Sequence, residues 1–299
     1  MYFIPNFKEI PDFSTSQYEN LISSLLNGAC IFFGAGISKF AGYKLWDELR
    51  NALVDYFWEK KDTLPSRYLR NQNFDYSMCE NLKKCDSIIE AFDYLYRINK
   101  NLFISGIKDI FKIDSKKNNN EIYQFLKKLD NGKNIFITTN IDKGFQTYLG
   151  LTDEEISICP EFTNPPKLIT YLHGRIDKED TWIFTRGQYN KGYEGKAPCM
   201  NYIKNIFKNR SVLFIGYGLR EDEIRRAIFS TEKLKTHYWL QGCTRNNIDS
   251  LKIHSTSLKE NFNIYLIPYD IDNGERSELI CEVIDSLYKK ITEKERNIK

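Results

Sequence analysis

The sequence lacks most of the features that would set a chain apart from ordinary globular proteins. Its seven cysteines are an odd number, and no two of them form a CxxC pair. That pattern argues against a disulfide framework and against a zinc ribbon, and reduced thiols fit a cytoplasmic protein. No apolar run approaches the length of a membrane-spanning helix. The opening MYFIPNFKEIPDFS has neither a charged leader nor a long apolar segment, so it does not read as a secretory signal. There is no internal repeat and no low-complexity linker. Lysine and arginine exceed aspartate and glutamate by only 43 to 40, too small an excess to predict direct nucleic-acid binding. The chain is therefore expected to be soluble and cytoplasmic, with no membrane partner and no metal.

What is present is enough apolar material, 41% of 299 residues, for a sizeable core. Residues 1–299 read as a single domain. An extended arm with Pro5 and Pro11 leads into a short helix from Ser16 to Leu26. ACIFF (29–33) is a buried strand, GAGIS (34–38) a glycine turn, and LWDELRNALVDYFWEK (45–60) repeats apolar residues at helical spacing. From 47 to 130 the pattern stays helical, clearest at 86–98 and 121–129, with a polar loop at 114–120, and reads as a helical insertion. Five further apolar runs follow, at 134–140, 168–174, 211–218, 236–242 and 261–270, before a C-terminal helix beginning near Glu275. The charged end TEKERNIK reads as a natural terminus. Apolar strands alternating with helices predict an α/β fold: a Rossmann-like parallel sheet with helices on both faces, plus the helical insertion.

In such sheets ligands bind beyond the carboxyl ends of the strands, where the strand order reverses. Those ends hold GAGIS, TTNID (138–142), LHG (172–174) and GYGLRED (216–222). Gly34, Ala35 and Gly36 form either a backbone cradle for a pyrophosphate or an ordinary strand-to-helix turn. Ser38 caps the following helix or bonds a phosphate oxygen. Asn140 and Asp142 are polar groups at a site or N-cap residues. His173 ends an apolar strand before a glycine, a setting that neither His237 nor His254 shares. Gly216, Tyr217 and Gly218 give room for a ribose or phosphate, and Asp222 bonds a ribose hydroxyl or caps the next helix.

Taken together and in order, these four motifs resemble the sirtuin family. GAGIS matches its phosphate-loop motif residue for residue, and TTNID resembles TQNID with Thr139 in place of Gln. LHG looks like the motif that carries the sirtuin catalytic histidine, and GYGLRED resembles the later glycine motif. Two departures accompany the match. The deacylase segment GIPDFR is replaced by Gly42, Tyr43, Lys44, Leu45, Trp46 and Asp47, and only Cys199 lies between His173 and Gly216, so the four-cysteine zinc module is missing. That pattern resembles the sirtuin-like NAD hydrolases of bacterial antiphage systems.

The resemblance implies NAD+ as substrate, cleaved to nicotinamide and ADP-ribose. Asn140 would hold the ribose or the attacking water, and His173 would accept a proton. Asp142 would anchor the nicotinamide side or the loop, and Trp46 would wall the ribose unless it is simply packed in the core. A module that senses NAD or ADP-ribose without turnover is the alternative, and an NAD-dependent protein deacylase a more distant one. Because no sensor domain is evident, control is expected through assembly, as a homo-oligomer or with a separate partner such as a HerA-type ATPase.

Overall fold

The computed structural model describes residues 15–64, 74–112, 120–159, 168–194, 197–219, 222–229, 235–272 and 276–298. The N-terminal arm, most of the polar loop at 114–120, and residues 220–221 of GYGLRED lie outside that set.

Seven parallel strands form one sheet in the order β3-β4-β2-β1-β5-β6-β7. They are β1 (Cys30–Phe33), β2 (Ile135–Thr138), β3 (Ile156–Ile158), β4 (Ile169–Tyr171), β5 (Val212–Ile215), β6 (His237–Cys243) and β7 (Ile264–Asp270). Six of them fall within the expected apolar runs. β3 falls outside them: ISI is three residues long and follows the acidic turn DEE, too short for alternation to register. From β1 the chain builds outward to β3, returns to β4, and then crosses to β5 on the other side of β1. β1 is thus flanked by β2 and β5 at the point of reversal, where a crevice is expected.

Successive side chains on a strand point to opposite faces, and the strands here divide accordingly. Cys30, Phe32, Val212 and Phe214 enter one apolar layer, and Ile31, Phe33, Leu213 and Ile215 enter the other. Burial on both sides explains why the strands read as unbroken apolar runs. The second layer is covered by α1 (Thr15–Asn27), the short α2 (Ala35–Phe40), and three helices introduced below; the first is covered by helices that follow β4.

Four helices between β1 and β2 build a separate core: α3 (Trp46–Glu59), α4 (Tyr76–Lys84), α5 (Ile88–Ile98) and α6 (Lys100–Ile110). The starts of the last three are fixed by side-chain caps, with Asp75, Ser87 and Asn99 each accepting a backbone N–H from the first turn. Leu53, Phe57, Phe92 and Phe103 pack inward, and Ile141, Trp182 and Phe184 join them from the strand-tip loops. The helical insertion therefore sits directly over the carboxyl end of the sheet. The next helix, α7 (Glu121–Lys127), does not join it; Ile122 and Leu126 pack under the sheet's second layer instead. With α7 in that layer are α8 (Gly144–Leu149) and the C-terminal α13 (Arg276–Ile298). The first layer takes α9 (Arg186–Tyr193), α10 (Pro198–Asn209), α11 (Asp222–Phe229) and α12 (Ile248–Phe262).

Cys159, just past β3, and Cys199, in the first turn of α10, lie side by side with Cα atoms 5.9 Å apart. They are 40 residues apart in sequence, and the fold brings them together under the first layer. No described helix is long and apolar enough to cross a membrane.

Candidate active site at the strand tips

Register fixes how the motif residues meet. Phe33 pairs with Thr138 and with Ile215, and Thr138 pairs with Tyr171. One step further, Gly34, Thr139, Leu172 and Gly216 stand level with one another. Asn140 and His173 each follow two residues after the last paired residue of the adjacent strands β2 and β4.

The glycine loops meet each other. A Cβ on Gly36 would fall 2.8 Å from the Gly216 carbonyl oxygen, and one on Gly34 would fall 2.9 Å from the same atom. Gly36 N–H donates to that oxygen at 2.9 Å, and Gly34 N–H donates to Ile215 O at 3.2 Å. Gly216 itself has φ +58°, a region that favours glycine. These glycines thus let β1's loop and β5's loop interlock, and the Gly36 donor is already engaged. Tyr217 turns inward, its ring against Phe32 and Phe214. Gly218 is exposed, and Asp222 is the first residue of α11.

Ser38 does not cap α2. The cap position is Gly34, and Ser38 lies in the fourth position of the helix, buried. Its hydroxyl is the centre of a polar chain: Ser38 Oγ donates to Asp142 Oδ2 at 2.6 Å and accepts from Asn140 Nδ2 at 2.8 Å. Asp142 Oδ1 in turn accepts the Gly144 N–H at 2.9 Å, with Tyr123 Oη at 3.4 Å. Burial raises the Asp142 carboxyl above its ordinary range, against the opposing pull of those donors. Asn140 is buried, its N–H donates to Thr138 Oγ1 at 3.0 Å, and its Oδ1 has no hydrogen-bond partner.

Asn140, Asp142, Ser38, Thr139 and Ala35 line a cleft with about 340 Å³ of unfilled space, open solvent included. Its other walls are Trp46 and Leu49 from α3, Phe111 after α6, Phe184, Ile141, and the loop residues Tyr43 and Lys44. Sequence motifs alone do not point to the last two, although they lie in the segment that replaces GIPDFR. Phe111 and Phe184 carry no local signal at all.

His173 is fully buried and does not line that cleft. Its ring stands edge-on to Trp46, Tyr189 and Tyr193 at centroid distances of 5.9, 5.2 and 5.9 Å. Enclosure in these rings pushes its pKa down to about 3, so the imidazole is neutral. Trp46 touches both regions, since it lines the cleft and packs against the imidazole. The turn after His173 is tightly packed. Gly174 has φ +82°, and a Cβ there would fall 2.3 Å from Thr181 O. Arg175 binds Asp153 and Asp177 bidentately and reaches Gln146, while Trp182 Nε1 donates to Arg175 O. Among the described residues no group of three or more His, Cys, Asp or Glu is arranged to hold a metal.

Fold and site together define a doubly wound α/β protein with a partly polar crevice at the strand tips beside β1, the setting in which such folds take nucleotides. Residues 134–267, β2 into β7, match the family model for the SIR2-like domain, a match that supports a sirtuin-like relationship and covers somewhat under half of the chain. No curated protein matches the sequence. GAGIS and the helical insertion lie outside the matched span.

Proposed function

We propose that the protein is an NAD+ glycohydrolase that releases nicotinamide and leaves ADP-ribose. The observation that carries this reading is that Asn140 and His173 each follow the end of adjacent parallel strands, with Trp46 against both the cleft and the imidazole. A SIR2-like domain is compatible with an enzyme that uses NAD.

The polarity of the cleft suits such a dinucleotide in one direction. Its floor carries Asp142 and the unpartnered Asn140 Oδ1, and its rim carries Lys44, which is exposed. The cationic pyridinium and the ribose hydroxyls belong at the floor, and the phosphates at the rim. Trp46 gives the cation an aromatic wall. Cleavage builds oxocarbenium character on the ribose, and the chain's task is to orient the sugar, exclude bulk water and accept a proton. The neutral His173 is the acceptor and Asn140 the orienting group. Trp46 has to shift before imidazole and sugar share one space. Control of that shift by assembly, through a homo-oligomer or a partner ATPase of the HerA type, and a role in depleting NAD during antiphage defence, complete the proposal.

The enclosure of His173 favours a second reading, a pocket that binds NAD or ADP-ribose without turnover. Nicotinamide release, followed by chromatography alongside calorimetric NAD binding, decides between them. Release that disappears in Asn140→Ala and His173→Ala is the expected result. Tight binding with no release, in any assembly state, would leave only the sensor.

A further inference from the structure

We infer that Ser38 and Asp142 are positioning residues that lock the Asn140 amide with its oxygen toward the cleft, so that the group held there is a hydroxyl or a water that donates. The inference rests on the hydrolase reading for its catalytic meaning, but its geometry stands apart from it.

Proton counting fixes the direction of every bond in the chain. Ser38 has a single hydroxyl hydrogen. Ser38 Oγ, the Gly144 N–H and Tyr123 Oη all face the Asp142 oxygens, the surroundings of an ionised carboxylate, which only accepts. The 2.6 Å contact between Ser38 Oγ and Asp142 Oδ2 therefore uses the Ser38 hydrogen. What remain on Ser38 Oγ are its two lone pairs, and they can face only donors. Of the two ends of the Asn140 amide, only Nδ2 donates, and Nδ2 is the end found 2.8 Å from Ser38 Oγ. The opposite end, Oδ1, is left buried and without a partner in a residue that lines the cleft. A buried unpartnered acceptor is costly unless something supplies a donor, and the ligand is what arrives there. The chain of bonds thus turns the charge of Asp142 into the orientation of an amide it does not touch.

The same counting predicts what reverses it. In Asp142→Asn the Gly144 N–H still requires an acceptor, which holds Oδ1 on that side and turns the new amide nitrogen toward Ser38. Ser38 then accepts from residue 142 and donates onward, and Asn140 flips to present Nδ2 to the cleft. Ser38→Ala cuts the chain without reversing it. Ser38→Thr keeps the hydroxyl.

The test is NMR of the full-length protein labelled with ¹⁵N-asparagine, with the Asn140 side-chain signal assigned by its loss in Asn140→Ala. In the wild type and in Ser38→Thr the Nδ2 protons should exchange slowly with solvent. In Ser38→Ala and Asp142→Asn they should exchange at least about tenfold faster and shift, while circular dichroism stays native. Unchanged Asn140 signals in both variants would overturn the inference. If the hydrolase reading holds, kcat for nicotinamide release falls about 10- to 100-fold in Ser38→Ala and Asp142→Asn with KM little moved, and Ser38→Thr recovers it. A wild-type protein that releases no nicotinamide would remove the hydrolase, and the amide signals would still decide the orientation.

Discussion

The two ends of the sheet each bury a histidine, and the pair are nearly indistinguishable by environment. His173 stands at the carboxyl end among Trp46, Tyr189 and Tyr193; His237 opens β6 at the other end, edge-on to Phe207. Burial pushes both down to about 3. His237 Nδ1 accepts the Val212 N–H at 3.1 Å and so joins two adjacent strands at their start. A shifted pKa therefore does not mark a functional group here. Position separates the two: only His173 lies at the carboxyl tips of the strands, two residues past β4 as Asn140 is past β2.

The sharpest way to break that comparison is activity. His173→Ala should lower nicotinamide release about 10²- to 10⁴-fold, as loss of a general base does. His237→Gln should leave it within a few-fold. Equal losses in a nicotinamide-release assay would erase the distinction between the two ends.

Next in size is the turn that carries His173. Gly174→Ala meets both a left-handed φ and a backbone oxygen, and should cost about 2–4 kcal/mol of stability in urea unfolding. Gly132 has φ +74° and open space, with no atom within 4 Å, where a Cβ would stand. It is the control, and its alanine variant should cost about 1 kcal/mol. Similar losses at both would mean that the packing behind His173 yields easily.

Acid sharpens the comparison further. Each histidine stays neutral when folded but titrates near its ordinary value of about 6.5 once unfolded. The stabilisation is complete above that value and is lost as pH falls toward 3, by up to about 1.4 kcal/mol per pH unit for each group. Asp142 acts in the opposite sense, because a raised carboxyl gives its contribution at low pH and loses it as pH climbs through the folded value. Urea midpoints measured from pH 7.5 to 5 should flatten equally in His173→Gln and His237→Gln. A smaller change for His173 would show that the cleft admits water to it.

The smallest effect expected is at the rim. Lys44→Ala should raise KM for NAD about two- to five-fold, less at high salt, as an exposed charge contributes under about 1 kcal/mol. A salt-independent KM would deny Lys44 any part in holding phosphate.

Much of this architecture is legible in the residues themselves. Strands buried on both faces announce themselves as apolar runs, so β1, β2 and β4–β7 stand out, while the three-residue β3 offers no period to read. The cleft is half legible. Strand-tip motifs locate Asn140, Asp142 and Ala35, because their neighbours in sequence are their neighbours at the tip. Ser38 reads as a cap or a phosphate ligand, because its partners in the structure lie 102 and 104 residues away. Phe111 and Phe184 are invisible for the same reason, brought in by the insertion's own core. The glycines of GAGIS read either as space for a pyrophosphate or as an ordinary turn, and a second stretch of main chain packs against them.

That interlock between the Gly36 and Gly216 loops has a mechanical consequence. Main chain packed on main chain resists parting of the sheet along the seam between β1 and β5. A ligand of the proposed site would then enter past the roof, where Trp46 and Leu49 stand on α3 and Phe111 follows α6.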